Sequence, residues 1–169
     1  MDEADKQTMK RIKANDPVAL HQEGLVQDEK GEYGSAFKYY TRAAELGHVE
    51  AHHHLSLLYH NGQGVEEDRG QKKHHLEEAA IGGHPNARYN LGVVELYRGN
   101  IERAVKHWII SASLGDDQSI KLLMEYFKEG IVDKDELAAT LRAHQAAADA
   151  TKSPQREAAE EYYRNRRCR

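Results

Sequence analysis

Ala43-Ala44-Glu45-Leu46-Gly47-His48-Val49-Glu50-Ala51 returns as Ala79-Ala80-Ile81-Gly82-Gly83-His84-Pro85-Asn86-Ala87, and again as Ser111-Ala112-Ser113-Leu114-Gly115-Asp116-Asp117-Gln118-Ser119. A worn copy stands at Ala147-Ala148-Asp149-Ala150-Thr151-Lys152-Ser153-Pro154. The glycine moves from 47 to 83 to 115, steps of 36 and 32, and the further step to Thr151 is 36. A period of that length marks a stacked array, in which one supersecondary unit repeats and buries its apolar face only against its neighbours. The unequal steps have a visible source. The second unit carries Gly62-Gln63-Gly64-Val65-Glu66-Glu67-Asp68 where the third has Gly99-Asn100-Ile101.

Upstream of each small pair runs a helical stripe: Ala36, Tyr40, Ala43, Ala44 and Gly47 in the first unit, and Ala104, Trp108, Ser111, Ala112 and Gly115 in the third. Spacings of 4, 3, 1 and 3 put these residues on one face of an α-helix. The small ones let a neighbouring helix come close, and Tyr40 or Trp108 fills the remaining gap as core. A first helix precedes each turn. Ala51, Leu55, Leu58 and Tyr59 correspond to Ala87, Leu91, Val94 and Glu95, and to Ser119, Leu123, Tyr126 and Phe127. Five residues on from its leading alanine stands Gly24, Ser56 or Gly92, and a glycine inside a helix points to close helix contact. Asp16 before Pro17, Asp68 with Gln71, Asp133 with Glu136, and Ser153 before Pro154 read as N-caps. The glycines after the small pairs read as C-caps.

The expected fold is therefore all-α, an α/α superhelix of about four helix–turn–helix repeats at 16–50, 51–86, 87–118 and 119–152. Residues 1–15 form a polar lead-in, and 153–169 a C-terminal capping helix with a basic tail. Composition agrees. Charged residues are 31% of the 169 and hydrophobic ones 39%, too polar for one large core but suited to an elongated array. The net charge of −4 draws the chain to neither nucleic acid nor anionic membrane. A single cysteine, Cys168, excludes an internal disulfide and a cysteine-based zinc site within the chain, and a reducing compartment, cytoplasmic or nuclear, is expected. The start of the sequence lacks an apolar signal region, and no apolar run approaches a membrane span. Lys134-Asp135-Glu136-Leu137 spells a retention signal, but such signals are read only at a C-terminus.

These residues resemble the Sel1-like repeat family, a relative of the tetratricopeptide repeats. The second unit carries the match: Ala51, Leu55, Tyr59, Gly62-Gln63-Gly64-Val65, Asp68 and Ala79-Ala80, closing at Gly83. The resemblance covers about residues 16–152. Lys72 departs from it where the family prefers alanine, and Glu23 where it prefers leucine. The other units lack the full Gly-x-Gly-Val turn. What the resemblance implies is superhelical stacking and scaffold or adaptor work in protein complexes. Leu76-Glu77-Glu78-Ala79-Ala80 and Lys106-His107-Trp108-Ile109-Ile110 also look like arrays that follow a RING-type zinc finger in longer proteins, and no such finger stands in this sequence.

Chemistry-bearing motifs are sparse. Eleven histidines include the run His52-His53-His54, with His48, His60, His74, His75 and His84 nearby. Adjacent helix residues point to different faces, and no His-Glu-x-x-His pattern occurs, so surface histidines and no metal or other cofactor are expected. The alternative is a metal-dependent enzyme built on this histidine-rich second repeat. Ser56, Ser111 and Ser113 lack a hydrolase elbow. Gly62 to Gly64 lack the lysine and hydroxyl of a phosphate loop. Cys168 sits among arginines in the tail, and that surrounding favours a reactive thiolate but not a catalytic pocket. The tail itself, with five arginines and three glutamates from 155 on, reads as a solvated helix end.

The reading that remains is a non-catalytic scaffold, expected as a monomer, that binds protein or peptide partners on a concave helical face. Nucleic acid and membrane are not expected partners. Stepping two residues either way from the leucine site of each first helix gives His21 and Leu25, His53 and Leu57, Tyr89 and Val93, and Lys121 and Glu125, with His60 extending the row. Such a strip suits an extended peptide or a partner helix. His21, His53 and His60, left unperturbed, would charge near pH 6.5 and make binding pH-dependent.

Overall fold

A computed structural model describes residues 3–151, which form nine helices and no strand: α1 (Glu3–Lys13), α2 (Pro17–Glu29), α3 (Tyr33–Glu45), α4 (Val49–Asn61), α5 (Arg69–Ile81), α6 (Pro85–Tyr97), α7 (Ile101–Ser113), α8 (Asp117–Lys128) and α9 (Lys134–Ala150). The all-α repeat fold is as expected. The capping helix, the Ser153 cap and Cys168 lie outside the described residues. Consecutive helices pack in chain order and α9 also returns to α7, so contacts stay within one or two elements along the array.

Local chemistry accounts for the ends of the helices. The Asp16 carboxylate accepts from the N–H groups of Val18 and Ala19, Asp68 from Gly70 and Gln71, Asp116 from Ser119, and Asp133 from Glu136. Each satisfies amides that an α-helix leaves bare at its start. At the other end, the N–H of Gly47 donates to the Ala44 carbonyl and that of His48 to Ala43, closing a Schellman turn. The same pair of bonds recurs at Gly83 and His84 and at Gly115 and Asp116, so the repeated small-small-glycine signature is a helix stop.

Two packing devices hold the stack. Gly24 and Gly92 occupy the same place on α2 and α6, where a Cβ would fall 2.5 Å from the Tyr40 ring and 2.4 Å from the Trp108 indole. The close approach read from these glycines is thus the seat of the large aromatic on the next helix. The long turn of the second unit is the other device. A Cβ on Gly64 would lie 2.4 Å from the Tyr33 backbone, and Val65 packs on the first core cluster with Leu55 and Tyr40. The Gly-x-Gly-Val turn therefore fastens unit two to the start of α3. Gly64 also has φ +70°, and neighbouring Gly62 has φ +65° with only ordinary contacts around its Cβ position. Gly62→Ala should cost about 1 kcal/mol for the left-handed backbone alone. Gly64→Ala adds a collision with backbone that cannot swing away and should cost about 2–3 kcal/mol. Urea melts of the two variants test this, and equal midpoints would mean the turn does not bear on α3.

Candidate functional site

The second unit breaks the repeat pattern where its two helices meet the third. The buried stripe Ala36–Tyr40 of α3 and Ala104–Trp108 of α7 becomes Lys72–Leu76 on α5. The surrounding core is correspondingly thin: Leu76, Ala79, Ala80, Ala87 and Leu91 form a small aliphatic cluster with no aromatic. A leucine fills less space than Tyr40 or Trp108, and a lysine in place of alanine carries a charge toward the rim. The result is a cleft between α4, α5 and α6. It comprises two abutting cavities of about 390 and 380 Å³ that share His60, Lys72, Leu76, Val94 and Tyr97. Leu57, Ser56, Asn90 and Val93 line its inner part. Arg69, Lys73, Arg98, Glu67 and Tyr59 line its outer part. Tyr97 is 88% exposed at its edge and Leu57 37%.

Of the residues expected to form the binding strip, Leu57, His60 and Val93 meet in this groove. The others stand elsewhere. Leu25 packs on the first core cluster, and Tyr89 on the third-unit core, where its carbonyl accepts the Trp108 indole N–H at 3.3 Å. Lys121 and Glu125 are exposed on α8. His21 and His53 are half-buried between helices. Lys72, Leu76 and Tyr97 were not among the expected site residues. The signal for the first two lay in the stripe itself, because laying 72 and 76 beneath 36 and 40 shows the missing aromatic.

His60 and His74 are exposed as expected from the sequence, but the other described histidines are half-buried. His48 stacks on His21 at 4.4 Å, His54 on Tyr40 at 4.8 Å and His53 on His84 at 4.3 Å, while His21 and His54 meet at 5.2 Å. This row runs along the junctions of the first three units. On the other side of α4, His52 and His75 bring their Nδ1 atoms to 3.0 Å, one donating to the other. Among the described residues no group of three or more histidine, cysteine or carboxylate side chains is placed to hold one metal ion. Burial, reinforced by the facing His48 and His54, pushes His21 down to about 4. Burial and His84 do the same to His53, and burial with His52 and His74 to His75. Burial also lowers His52, His54 and His84. The expectation that His21 and His53 charge near pH 6.5 is corrected accordingly: desolvation keeps both rings neutral through the physiological range.

The sequence model of the Sel1 repeat matches residues 19–48, 49–84 and 85–116. The chain belongs to the Sel1 repeat family. Its Sel1 array is 31% identical over 102 residues to chitin synthase regulatory factor 4 of Schizosaccharomyces pombe, a stretch that is 56% of this chain and only 16% of that protein. A Sel1 repeat protein from Oxalobacter formigenes has the same fold, with a TM-score of 0.71 and 27% identity over 89% of this chain and 64% of that one. A protective antigen present in uropathogenic Escherichia coli strains, which displays an SLR fold, matches at a TM-score of 0.67 and 26% identity over 87% of this chain and 33% of that one. Within the Sel1 pattern, the departure at Lys72 coincides with the cleft. No described helix of this Sel1 array is long and apolar enough to cross a membrane.

Proposed function

We propose that this chain is a protein-interaction scaffold that seats a segment of a partner protein in the α4–α5–α6 groove and carries out no catalysis of its own. The observation that supports this most is the groove itself, with Leu57 and Tyr97 exposed and Val93 half-buried beside them over a floor of Leu76. Grooves of this size between helices, apolar with a few polar groups at the rim, are where helical proteins take ligands. The fission-yeast relative is named a regulatory factor, a role that a binding array can fill. A monomer acting in the cytoplasm or nucleus, on proteins rather than nucleic acid, fits the same reading.

The test is site-directed photocrosslinking in cells that express the chain. A benzophenone side chain at Leu57 or Tyr97 should give a discrete protein adduct, and the same group at Lys121 should not. Adding Val93→Arg should cut the Leu57 adduct at least about fivefold, because a cation then enters the apolar part of the seat. Adducts from Lys121 alone would place the partner elsewhere on the array and sink the groove as the seat.

A further inference from the structure

We infer that the partner segment held by this groove is acidic: a short stretch rich in carboxylates with one or two apolar side chains. The inference rests on the groove being the partner seat, and it adds the chemical class of what sits there. The chain as a whole is net negative, with 28 acidic residues against 24 basic. The outer groove reverses that sign, since Arg69, Lys72, Lys73 and Arg98 face the single carboxylate of Glu67. All four line one cavity, and the sign of its rim is set by those that the fold leaves least neutralised.

The pairing of these cations decides which is free to act. Lys73 Nζ lies 3.2 Å from Glu77, and Arg98 lies 3.3 Å from Glu95, a buried carboxylate that Asn100 and Arg103 also hold. Arg69 meets Glu67 only at 3.9 Å, and Arg69 is almost fully exposed. Lys72 has no ion-pair or side-chain hydrogen-bond partner among the described residues, although it is half-buried and lines both cavities. Its stem lies along the groove and its charge stands at the rim with no counter-ion supplied by the fold, so it is available to pair with an incoming carboxylate. The apolar floor beside it gives a neighbouring leucine or aromatic of the same segment a place to go. The free cation is a lysine, a point charge that suits a single carboxylate, while the guanidinium best placed to fork a phosphate is already committed to Glu95.

Fluorescence anisotropy on the full chain tests this with three labelled probes. One is a seven-residue peptide, Glu-Asp-Leu-Glu-Asp-Leu-Glu. The second is its Gln/Asn counterpart, and the third a ten-nucleotide oligouridine RNA. The acidic peptide should bind, the amide peptide at least about tenfold more weakly, and the RNA more weakly still. Lys72→Glu should weaken the acidic peptide by at least about tenfold, Arg69→Glu by about threefold and Lys121→Glu not at all. Raising salt from about 50 to 300 mM should weaken it further. Lys72→Gln, with Arg69→Glu on its exposed site, keeps the test open if Lys72→Glu disturbs the fold, which circular dichroism reports. Equal binding of acidic and amide peptides overturns the acidic assignment while leaving the groove as a seat. Preferential binding of the RNA, loss of peptide binding with Lys121→Glu, or no binding of the acidic peptide each overturn it as well. Crosslinking at Leu57 and Tyr97 then judges the seat on its own.

Discussion

Acidifying the protein from pH 7 to pH 5 should lower its stability by about 3 kcal/mol, and further acidification to pH 4 by about 4–5 kcal/mol in all. The cause is a set of half-buried histidines, His21 and His53 in the stacked row and His75 on the other side of α4. His21, His53 and His75 are held at about 4 by burial first and then by the rings beside each, His48 and His54 at His21, His84 and His54 at His53, His52 and His74 at His75, whereas an unfolded chain protonates the same rings near 6.5. The folded value is depressed, so the stability is complete above pH 6.5. It is lost as the pH falls toward 4, because only the unfolded chain takes up the protons. A full shift of this size is worth about 3 kcal/mol per ring, and screening at half-exposed rings reduces each to about 1–1.5 kcal/mol. His84 adds to the effect, since its Nδ1 accepts the Ala87 N–H at 3.3 Å and a protonated ring cannot cap α6. The lowered carboxylates, Asp16 beside Arg11 and Glu95 beside Asn100, begin to lose their contribution only below about pH 5, so the span from pH 7 to 5 reads the histidines. Urea denaturation by circular dichroism at pH 7, 6 and 5 reads the slope, and the triple variant His21→Gln, His53→Gln, His75→Gln should flatten it by at least half. A wild-type midpoint constant from pH 7 to 5 would show that the rings are solvated in both states.

The fold was legible because its determinants are local and repeated. The helix stops at Gly47, Gly83 and Gly115, the caps at Asp16, Asp68 and Asp133, and the Tyr40 and Trp108 stripes each depend on residues within a turn or two of sequence. The site was legible only in part. Leu57, His60 and Val93 follow from the phase of the first helices, which the stripe fixes. His21 and His53 share that phase but lie against His48 and His84 from the following turn, a contact made by the stacking of units rather than by any one helix. A period read along one helix cannot tell a solvent-facing ring from one covered by the next repeat. The groove lay hidden for a related reason. It comes from what unit two lacks, and a missing aromatic leaves a mark only when the units are compared with each other.

Trp108→Ala should cost about 3–5 kcal/mol, enough to bring an average domain close to unfolding. Trp108 is fully buried, its indole N–H is bonded to the Tyr89 carbonyl, and its ring lies 5.3 Å from that of Tyr126. Through those contacts it ties α6, α7 and α8 together, so the substitution removes side chain from the third unit and from its junction with the fourth. Gly92 cannot make up the loss. Its bare Cα was matched to the indole, and alanine opposite would leave a cavity against a surface that has no side chain to collapse into it. The same geometry supplies a sharper test. Gly92→Ala alone should destabilise by about 1–3 kcal/mol, because its Cβ would strike the indole. In the Trp108→Ala background that collision disappears and the added methyl partly fills the hole. The double variant should therefore be more stable than the sum of its parts by about 1 kcal/mol or more, a coupling that a urea double-mutant cycle followed by circular dichroism measures directly. Strict additivity of the two substitutions would mean that α6 and α7 do not meet through this pair. The corresponding pair in the first unit, Gly24 under Tyr40, should then be expected to fail in the same way.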